Sequence, residues 1–205
     1  MRAETAPAAR SGRLDEAALV GSCRAIDEAG ERWAGALRGR RWVDVCAAVV
    51  SNLSDHGAIW VLAAALKARR PGPSRRRAVF ALALAGTTSY GVNRAVKKVV
   101  GRSRPEHAGV PTDGLPIRTP SSSSFPSGHT LAAFCTAVVL PDNPSTRLAA
   151  LSFAAAVAAS RVHLRAHHLS DVLGGAAIGA ALGTVLRPPL SVLAPRPGCS
   201  GGRAE

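Results

Sequence analysis

Five apolar stretches separated by basic segments constrain the fold of this chain more than any other feature. The stretches cover residues 43–66, 78–96, 129–141, 148–162 and 172–186. A helix needs about 20 apolar residues to cross a bilayer, and two of the stretches approach that length with their flanks. The Lys and Arg residues cluster between the stretches, as in KARRPGPSRRR at 67–77, which is typical of membrane helices with basic flanks. We therefore predict an all-α, polytopic membrane bundle of about five transmembrane helices.

The charge balance allows a second interpretation, which other features disfavour. The formal net charge is +13 although 47% of the residues are hydrophobic. A nucleic-acid-binding protein can be equally basic, but the sequence has no zinc-finger spacing, no aromatic-rich sheet motif and no basic helix without apolar neighbours. We expect no nucleic-acid partner. The four cysteines are not closely spaced, so we predict neither a disulfide framework nor a cysteine metal site.

The composition divides the chain into three parts. Residues 1–41 are predicted to begin as a disordered tail and to continue, from residue 14, as an N-terminal amphipathic helix. This helix either packs on the body or lies in the membrane interface. Residues 42–187 form the membrane-embedded domain, and the Pro- and Gly-rich residues 188–205 are predicted to be a flexible tail. The first twenty residues contain no apolar core, so we expect no cleavable signal peptide.

Polar segments interrupt or follow the apolar stretches at defined places. The sequence SNLSDH at 51–56 lies within the first stretch, where polar groups are expensive in lipid unless they face other helices. We therefore predict that the first half of that stretch, with Asp55, lies in the membrane interface. Residues 97–128 and 161–168 are predicted to be loops. Two crossings separate these loops, so they should lie on the same membrane face.

The second loop contains a histidine and a carboxylate at helical spacing. It reads SRVHLRAHHLSD over 160–171, with His167 and Asp171 four residues apart. If a helix begins near Leu169 or Ser170, Asp171 reaches a ring nitrogen of His167. A carboxylate on one nitrogen fixes the tautomer and leaves the other nitrogen basic. This arrangement makes a histidine a nucleophile or a base.

Fixed cations and a second histidine are predicted on the same membrane face. The cations are Lys97, Arg104 and Arg161. The sequence PSGHT at 126–130 opens an apolar helix, whose N-terminal N–H groups form an anion site. Gly128 would let that backbone approach an anion closely. Three cations around His129 and His167 suit a phosphoryl group, because its transition-state charge is spread over three oxygens.

Three pieces of this sequence, in this order, resemble the signature of the type 2 phosphatidic acid phosphatase superfamily. They are Lys97 with Arg104-Pro105, then Pro126-Ser127-Gly128-His129, then Ser160-Arg161 with His167 and Asp171. The resemblance covers roughly residues 43–187. It implies an integral-membrane, metal-independent phosphatase without a cofactor, which removes phosphate from a lipid phosphate or diphosphate. A polyprenyl substrate is favoured by resemblance to small bacterial members, and phosphatidic acid and phosphatidylglycerol phosphate are alternatives.

The resemblance also implies a role for each matching residue. His167 would be the nucleophile that forms a phosphohistidine, and Asp171 would orient it. His129 would protonate the leaving oxygen and then activate water. The phosphate cradle would comprise Lys97, Arg104, Ser127, Gly128 and Arg161.

Several neighbouring residues receive other predictions. The serine run 121–124 is predicted to be a flexible loop, Arg102 to contact lipid headgroups, and His163 to face the cleft or the headgroups. Three alternatives stay open. One is a metal site of histidines, formed by His129, His163, His167 and His168. The others are a soluble oxidase-like relative that holds vanadate, and a non-catalytic membrane protein that binds phosphate lipids and would tolerate Asn or Gln in place of His167.

The distribution of basic residues predicts the side of the membrane on which the site lies. More Lys and Arg residues lie on the loops opposite the site than on the site's own face, once the signature cations are set aside. This bias places the site outside the cytoplasm of a multi-pass protein, which we expect in a bacterial plasma membrane. The arginines of the N-terminal segment agree with this orientation only if the first apolar stretch does not cross.

Overall fold

A computed structural model describes residues 8–69, 73–106 and 122–192. Secondary structure in these residues is helical throughout, which confirms the all-α class for the described part of the chain. The α-helices are α1 Ala8–Gly35, α2 Arg41–Ser54, α3 Ala58–Ala68, α4 Pro73–Val100, α5 Gly128–Val139, α6 Pro144–His163 and α7 Leu169–Val192.

The first predicted apolar stretch is a bent pair of helices. A short 3₁₀ turn at Asp55–Gly57 separates α2 from α3, and the two helices meet at a 60° bend. Gly57 has φ 72°, a left-handed conformation that glycine adopts without steric cost. The bend falls on the polar sequence SNLSDH, so the break coincides with the residues least suited to a continuous apolar helix.

The other four apolar stretches each lie within one helix, from α4 to α7. By length and composition, the segment Leu169–Arg187 of α7 can cross a membrane, and the bent pair α2–α3 qualifies if it counts as one span. Helix α5 is apolar but shorter. The predicted number of about five crossings therefore stays a prediction.

The helix boundaries differ from the predicted ones at several places. Helix α1 already begins at Ala8, where a disordered tail was predicted, and it ends at Gly35. Helix α7 continues to Val192, past the predicted start of a flexible tail. Lys97 and Arg161 lie on the last turns of α4 and α6 rather than in loops. Residues 1–7 and 193–205, the remainder of the predicted tails, lie outside the described residues.

The start of α6 follows from its sequence. The Asn143 side chain accepts a hydrogen bond from the Thr146 N–H at 2.9 Å, and Pro144 occupies the first helical turn. Asparagine is a favoured N-cap, and proline fits the first turn because its missing N–H would have no helical partner there. This cap therefore separates α5 from α6 after a turn of only a few residues.

Helices α5 and α7 approach each other at backbone distance. Three glycines of α7, spaced four residues apart, face three α5 carbonyl groups with the same spacing. A Cβ at Gly175, Gly179 and Gly183 would lie 2.8, 2.3 and 2.9 Å from the carbonyl oxygens of Ser127, Leu131 and Cys135. Small residues permit such close packing of helices. The contact fixes the register between the first turns of the two helices, which carry His129 and Asp171.

Alanines make up much of the apolar core, and many larger apolar side chains point outward. Ala81, Ala85 and Ala137 are at most 1% exposed, yet Phe80 is 54% and Val185 70% exposed. Extended apolar surface of this kind on several helices is unusual for a soluble monomer. It suits a bundle surrounded by lipid.

The two predicted loops meet at one end of the bundle, as expected. The end of α4 and the start of α5 lie beside the end of α6 and the start of α7, since Arg104 donates to the Ala166 carbonyl at 2.6 Å. At the opposite end, Lys67 lies 2.5 Å from Asp142, which also pairs with Arg77. The polar site and the basic loops therefore occupy opposite ends.

Candidate active site

His167 lies in a tight turn between α6 and α7. The N–H groups of Ala166 and His167 both donate to the Arg161 carbonyl, at 3.0 and 3.1 Å. Arg165 adopts φ 54°, an uncommon conformation for a residue with a side chain, and this reverses the chain. The turn buries the His167 ring, which is 3% exposed. Helix α7 begins at Leu169, as required for Asp171 to approach that ring.

Ser124 stands between His167 and Asp171. The His167 Nδ1 atom is 3.7 Å from Asp171 Oδ2, beyond hydrogen-bond distance. The fully buried Ser124 hydroxyl donates to Asp171 Oδ2 at 2.5 Å and lies 3.4 Å from His167 Nδ1. Its oxygen can therefore accept a hydrogen bond from the ring Nδ1–H while its O–H donates to the carboxylate. The serine run was predicted to be a flexible loop, and this prediction is wrong for Ser124; Ser121 lies outside the described residues.

Asp171 is also held by a cation that sequence reasoning placed elsewhere. Arg102 Nη1 donates to Asp171 Oδ1 at 2.6 Å, and the His168 N–H donates to Oδ2 at 2.9 Å. Arg102 also pairs with Asp27 of α1, which accepts from the Ser170 N–H at 2.9 Å. Arg102 was predicted to contact lipid headgroups, but it links α1 to the carboxylate beside His167. Arg102 lies between Lys97 and Arg104 in the first signature piece, and this position was the one indication in the sequence that it belongs to the site.

The other ring nitrogen of His167 faces Arg104. Arg104 Nη1 lies 3.2 Å from His167 Nε2 and donates to the Ala166 carbonyl. A guanidinium only donates hydrogen bonds, so the contact assigns the lone pair to Nε2 and the proton to Nδ1. Burial lowers the pKa of His167 to about 4, against the opposing effect of Asp171. The ring is therefore neutral near pH 7, with Nε2 available as a nucleophile.

The remaining predicted cations lie close to the histidines. Lys97 Nζ donates to the Ser123 carbonyl at 2.6 Å and the Ser122 hydroxyl at 3.2 Å. Arg161 is fully buried and donates through Nη1 to the Ser51 hydroxyl. Its Nε and Nη2 atoms have no hydrogen-bond partner among the described residues. Buried donors are rarely left unpaired, so this guanidinium is suited to receive an anion.

Helix α5 presents His129 and several N–H groups at its start. The first helical hydrogen bond runs from the Leu131 N–H to the Ser127 carbonyl. The N–H groups of Gly128, His129 and Thr130 are therefore outside the helical ladder. His129 Nε2 lies 2.7 Å from Asp55 Oδ1. The Asp55 side chain, predicted in the membrane interface, thus lies at the site.

Ser127 and Gly128 have contacts that the sequence did not indicate. Ser127 is fully buried, and its N–H donates to the Asp171 carbonyl at 3.0 Å. A Cβ on Gly128 would lie 2.9 Å from Asn93 Nδ2. Ser127 therefore joins α5 to α7, and Gly128 permits the approach of α4. Their contact with phosphate stays a prediction.

His163 is not part of the group that surrounds His167 and His129. It is 2% exposed, and its Nε2 lies 2.7 Å from the buried carboxylate of Asp44. Its carbonyl accepts from Arg38 Nε at 2.8 Å. His163 therefore faces neither the cleft nor the headgroups, and it connects α6 to α2.

Both site histidines line one cavity of about 490 Å³. Lys97 and Arg104 line its polar part, and Trp60, Val61 and Leu82 line its apolar part. A wider groove of about 980 Å³ reaches His167 from the side of α1. The first cavity thus brings the two histidines and the cations Lys97 and Arg104 together with apolar side chains of α3 and α4.

Comparison with known proteins identifies the family of this chain. The family model of the PAP2 superfamily matches residues 77–188. The chain belongs to the PAP2 superfamily. The matched region contains every residue of the three signature pieces, so the predicted resemblance is confirmed.

The relatives of this PAP2 protein are lipid phosphatases. Decaprenylphosphoryl-5-phosphoribose phosphatase of Mycolicibacterium smegmatis is 34% identical over 68% of this chain and 75% of that protein. The protein of the same name from Mycobacterium tuberculosis is 29% identical over 67% and 75%. Phosphatidylglycerophosphatase B of Bacillus subtilis is 34% identical over 44% of this chain and 47% of that protein.

A solved structure resembles this PAP2 protein along most of its length. The transmembrane PAP2-type phosphatidylglycerolphosphate phosphatase of Bacillus subtilis superimposes with a TM-score of 0.64 and 25% identity, covering 82% of this chain and 85% of that one. The chain is therefore an integral membrane protein and a phosphoric ester hydrolase of the lipid phosphatase type.

Proposed function

We propose that this PAP2 protein is a metal-independent lipid phosphatase that acts through a phosphohistidine on His167. One observation carries this proposal. The His167 ring is buried with Nδ1 directed to Ser124 and Asp171, while Nε2 lies beside Arg104 in the cavity shared with His129. A histidine held at one nitrogen and open at the other is an activated nucleophile.

In the first step, the Nε2 lone pair attacks phosphorus. The N–P bond forms as the bond from phosphorus to the lipid oxygen breaks, and His129 gives its proton to that oxygen. Positioned cations stabilise the charge of the phosphoryl oxygens, a role for Lys97, Arg104 and Arg161. Because these side chains supply positive charge, the reaction is expected to need no metal ion.

In the second step, water attacks the phosphohistidine. His129, now neutral, accepts a proton from water as the new P–O bond forms and the N–P bond breaks. Inorganic phosphate leaves, and His167 returns to its starting state. General acid–base catalysis of this kind contributes roughly 100- to 10,000-fold to a rate.

The cavity supports a lipid substrate with an apolar tail. Its lining passes from the two histidines to Trp60, Val61 and Leu82, so the phosphate and an apolar chain can be bound together. Two of the relatives are named as a decaprenylphosphoryl-5-phosphoribose phosphatase and a phosphatidylglycerophosphatase. We take a polyprenyl-linked phosphate as the preferred substrate class and a phosphatidyl phosphate as the competitor.

The decisive experiment measures phosphate release by the detergent-purified protein with EDTA present. The substrates are a polyprenyl monophosphate, a polyprenyl diphosphate, decaprenylphosphoryl-5-phosphoribose, phosphatidylglycerophosphate and phosphatidic acid. His167→Asn should abolish release. His168→Asn is the matched control, because His168 holds Asp171 through its backbone N–H only. Acid-labile labelling of wild type by a ³²P-lipid, absent in His167→Asn, would identify the phosphohistidine.

The possible outcomes separate the parts of this assignment. EDTA-resistant release that His167→Asn loses and His168→Asn keeps supports the mechanism, and the fastest substrate identifies the lipid class. Release that needs an added metal contradicts metal independence. Equal release by wild type and His167→Asn refutes the nucleophile.

We also propose five membrane segments and an extracytoplasmic site, an orientation that follows the charge bias of the loops and places the N-terminal arginines on the same outer face as the site. The segments are α2–α3 as one bent span, then α4, α5, α6 and α7. A cysteine introduced at Ser122, in a cysteine-free background, should react with an impermeant maleimide on intact cells. A cysteine at Arg147, near the opposite end, should react only after lysis, and the reverse pattern would place the site in the cytoplasm.

A further inference from the structure

We propose that Asp55 is a positioning residue for His129, so that the site holds a second carboxylate–histidine pair beside Asp171 and His167. This role rests on the proposed function, because it concerns the proton that His129 transfers. Asp55 lies 74 residues before His129 and outside the three signature pieces. The pair therefore adds a catalytic component from a part of the chain that precedes the matched family region.

The geometry of the helix break brings Asp55 to the site. Helix α2 ends at Ser54, and Asp55 leaves the helix with an extended backbone at φ −61° and ψ 133°. Its Oδ1 atom lies 2.7 Å from His129 Nε2. Both side chains are mostly shielded from solvent, with exposed fractions of 17% and 21%. The short distance and the shielding make this contact stronger than an exposed surface pair.

The same end of α2 contacts a second member of the site. Ser51, in the last turn of α2 and four residues before Asp55, accepts from buried Arg161 Nη1. One segment thus holds both the buried guanidinium and the histidine of α5. This double contact explains why the polar sequence SNLSDH is placed within an apolar stretch.

The negative charge of Asp55 opposes an effect of the phosphate-binding cations on His129. Cations that hold a phosphate also disfavour a positive charge on a neighbouring imidazole. A general acid for an alkoxide must nevertheless carry a proton before the reaction. A carboxylate in contact with the ring stabilises the protonated form, so Asp55 opposes the effect of Lys97 and Arg161 on His129.

The contact also selects the nitrogen that transfers the proton. Because Nε2–H of His129 is held by Asp55, the second proton of the charged ring is on Nδ1. In the first step this Nδ1 proton goes to the lipid oxygen as the P–O bond breaks. In the second step Nδ1 accepts a proton from the attacking water. The Nε2–H bond to Asp55 is kept throughout, and the carboxylate itself is not protonated.

The test compares two esters that differ in their need for a proton. A lipid monophosphate has an alkoxide leaving group that must be protonated. An aryl phosphate with an alkyl tail and a nitrophenolate leaving group does not need this proton. Asp55→Asn should slow lipid turnover by about 30-fold, less than the roughly 100- to 10,000-fold that general acid–base catalysis contributes as a whole, with KM little changed. The first-turnover burst of nitrophenolate should stay near the wild-type rate.

Two further variants control this measurement. Asp55→Glu keeps the carboxylate and should recover part of the lost lipid turnover. Asn52→Ala changes a half-buried side chain of the same helix and should leave both esters unaffected.

The result has three readings. Selective loss on the lipid ester, with a preserved burst, supports the role of Asp55. Equal loss on both esters, or lipid turnover within twofold of wild type, overturns it while the phosphatase assignment stands. A wild-type protein that hydrolyses neither ester refutes the proposed function itself and this role with it.

Discussion

Replacement of Ser124 by Ala should separate the His167–Asp171 pair without removing either member. The Ser124 hydroxyl is fully buried and is the atom that connects His167 Nδ1 to Asp171 Oδ2. Without it, Nδ1 and Oδ2 are 3.7 Å apart, which is beyond hydrogen-bond distance. The Nδ1–H group then loses its acceptor at the moment when the ring becomes positively charged.

The size of the effect follows from the charge of the partner. A hydrogen bond to a charged group contributes about 1.5–3 kcal/mol. Charge develops on the His167 ring as the N–P bond forms, so this contribution is larger in the transition state than in the ground state. At 1.36 kcal/mol for each tenfold change, the loss corresponds to a decrease in kcat of about 10- to 150-fold.

The assay is steady-state phosphate release from the preferred lipid, combined with thermal unfolding of the same preparation. Ser160→Ala is the matched control, because Ser160 is also buried but its hydroxyl donates to the Val157 carbonyl within α6. We expect a change of less than about fivefold there, since a neutral hydrogen bond contributes only about 1 kcal/mol. If Ser124→Ala keeps kcat within twofold of wild type, Ser124 does not connect the pair.

Three further predictions follow from the site and the packing. Burial lowers the pKa of His167 from 6.5 to about 4, so the unfolded chain binds more protons between these values, and the free energy of unfolding should fall by about 3 kcal/mol from pH 7 to below pH 4. In thermal unfolding, His167→Asn should lack this part of the pH dependence, and an equal dependence of stability on pH in both proteins would contradict the neutral ring. Gly179→Ala should lower thermal stability by about 2 kcal/mol because the new Cβ overlaps an α5 carbonyl, whereas Gly91→Ala, which meets open space, should raise it by up to about 1 kcal/mol; equal effects would refute the close helix contact. Arg102→Met should lower kcat at least about tenfold, the consequence of losing a charged hydrogen bond, and should loosen α1 in limited proteolysis; unchanged activity would show that α1 is not coupled to Asp171.

Local spacing predicted the parts of the site that lie on one helix or at its end. His167 and Asp171 are four residues apart, and the start of α7 at Leu169 brings them to 3.7 Å, with Ser124 in place of the expected direct contact. The apolar stretches likewise predicted the positions of α4 to α7, because long runs of one period decide helix formation. Family membership was predictable for the same reason, since each signature piece is short and local.

Contacts between residues far apart in the sequence could not be predicted, although the sequence contained an indication for Asp55 and for Arg102. Asp55 reaches a residue 74 positions later, and Arg102 reaches Asp27 75 positions earlier; spacing along the chain carries no information about such contacts. A carboxylate within an apolar stretch was itself a functional indication, which would have favoured a buried role for Asp55. The serine run gave no indication that Ser124 is buried at the site, because flexible loops and buried turns share the same composition.

The four signature-bearing helix ends give this enzyme a mechanical property. Lys97, His129, Arg161 and Asp171 lie at or near the ends of four helices, and at the other end of the bundle Asp142 pairs with Lys67 of α3 and Arg77 of α4. A helix that pivots 14 residues from its end extends about 21 Å beyond the pivot, so a tilt of roughly 2° moves that end by about 0.7 Å. Displacements near 1 Å cost about a hundredfold in rate. We therefore expect turnover to depend on bilayer thickness, which affects helix tilt, and we expect the closely packed pair α5–α7 to move least.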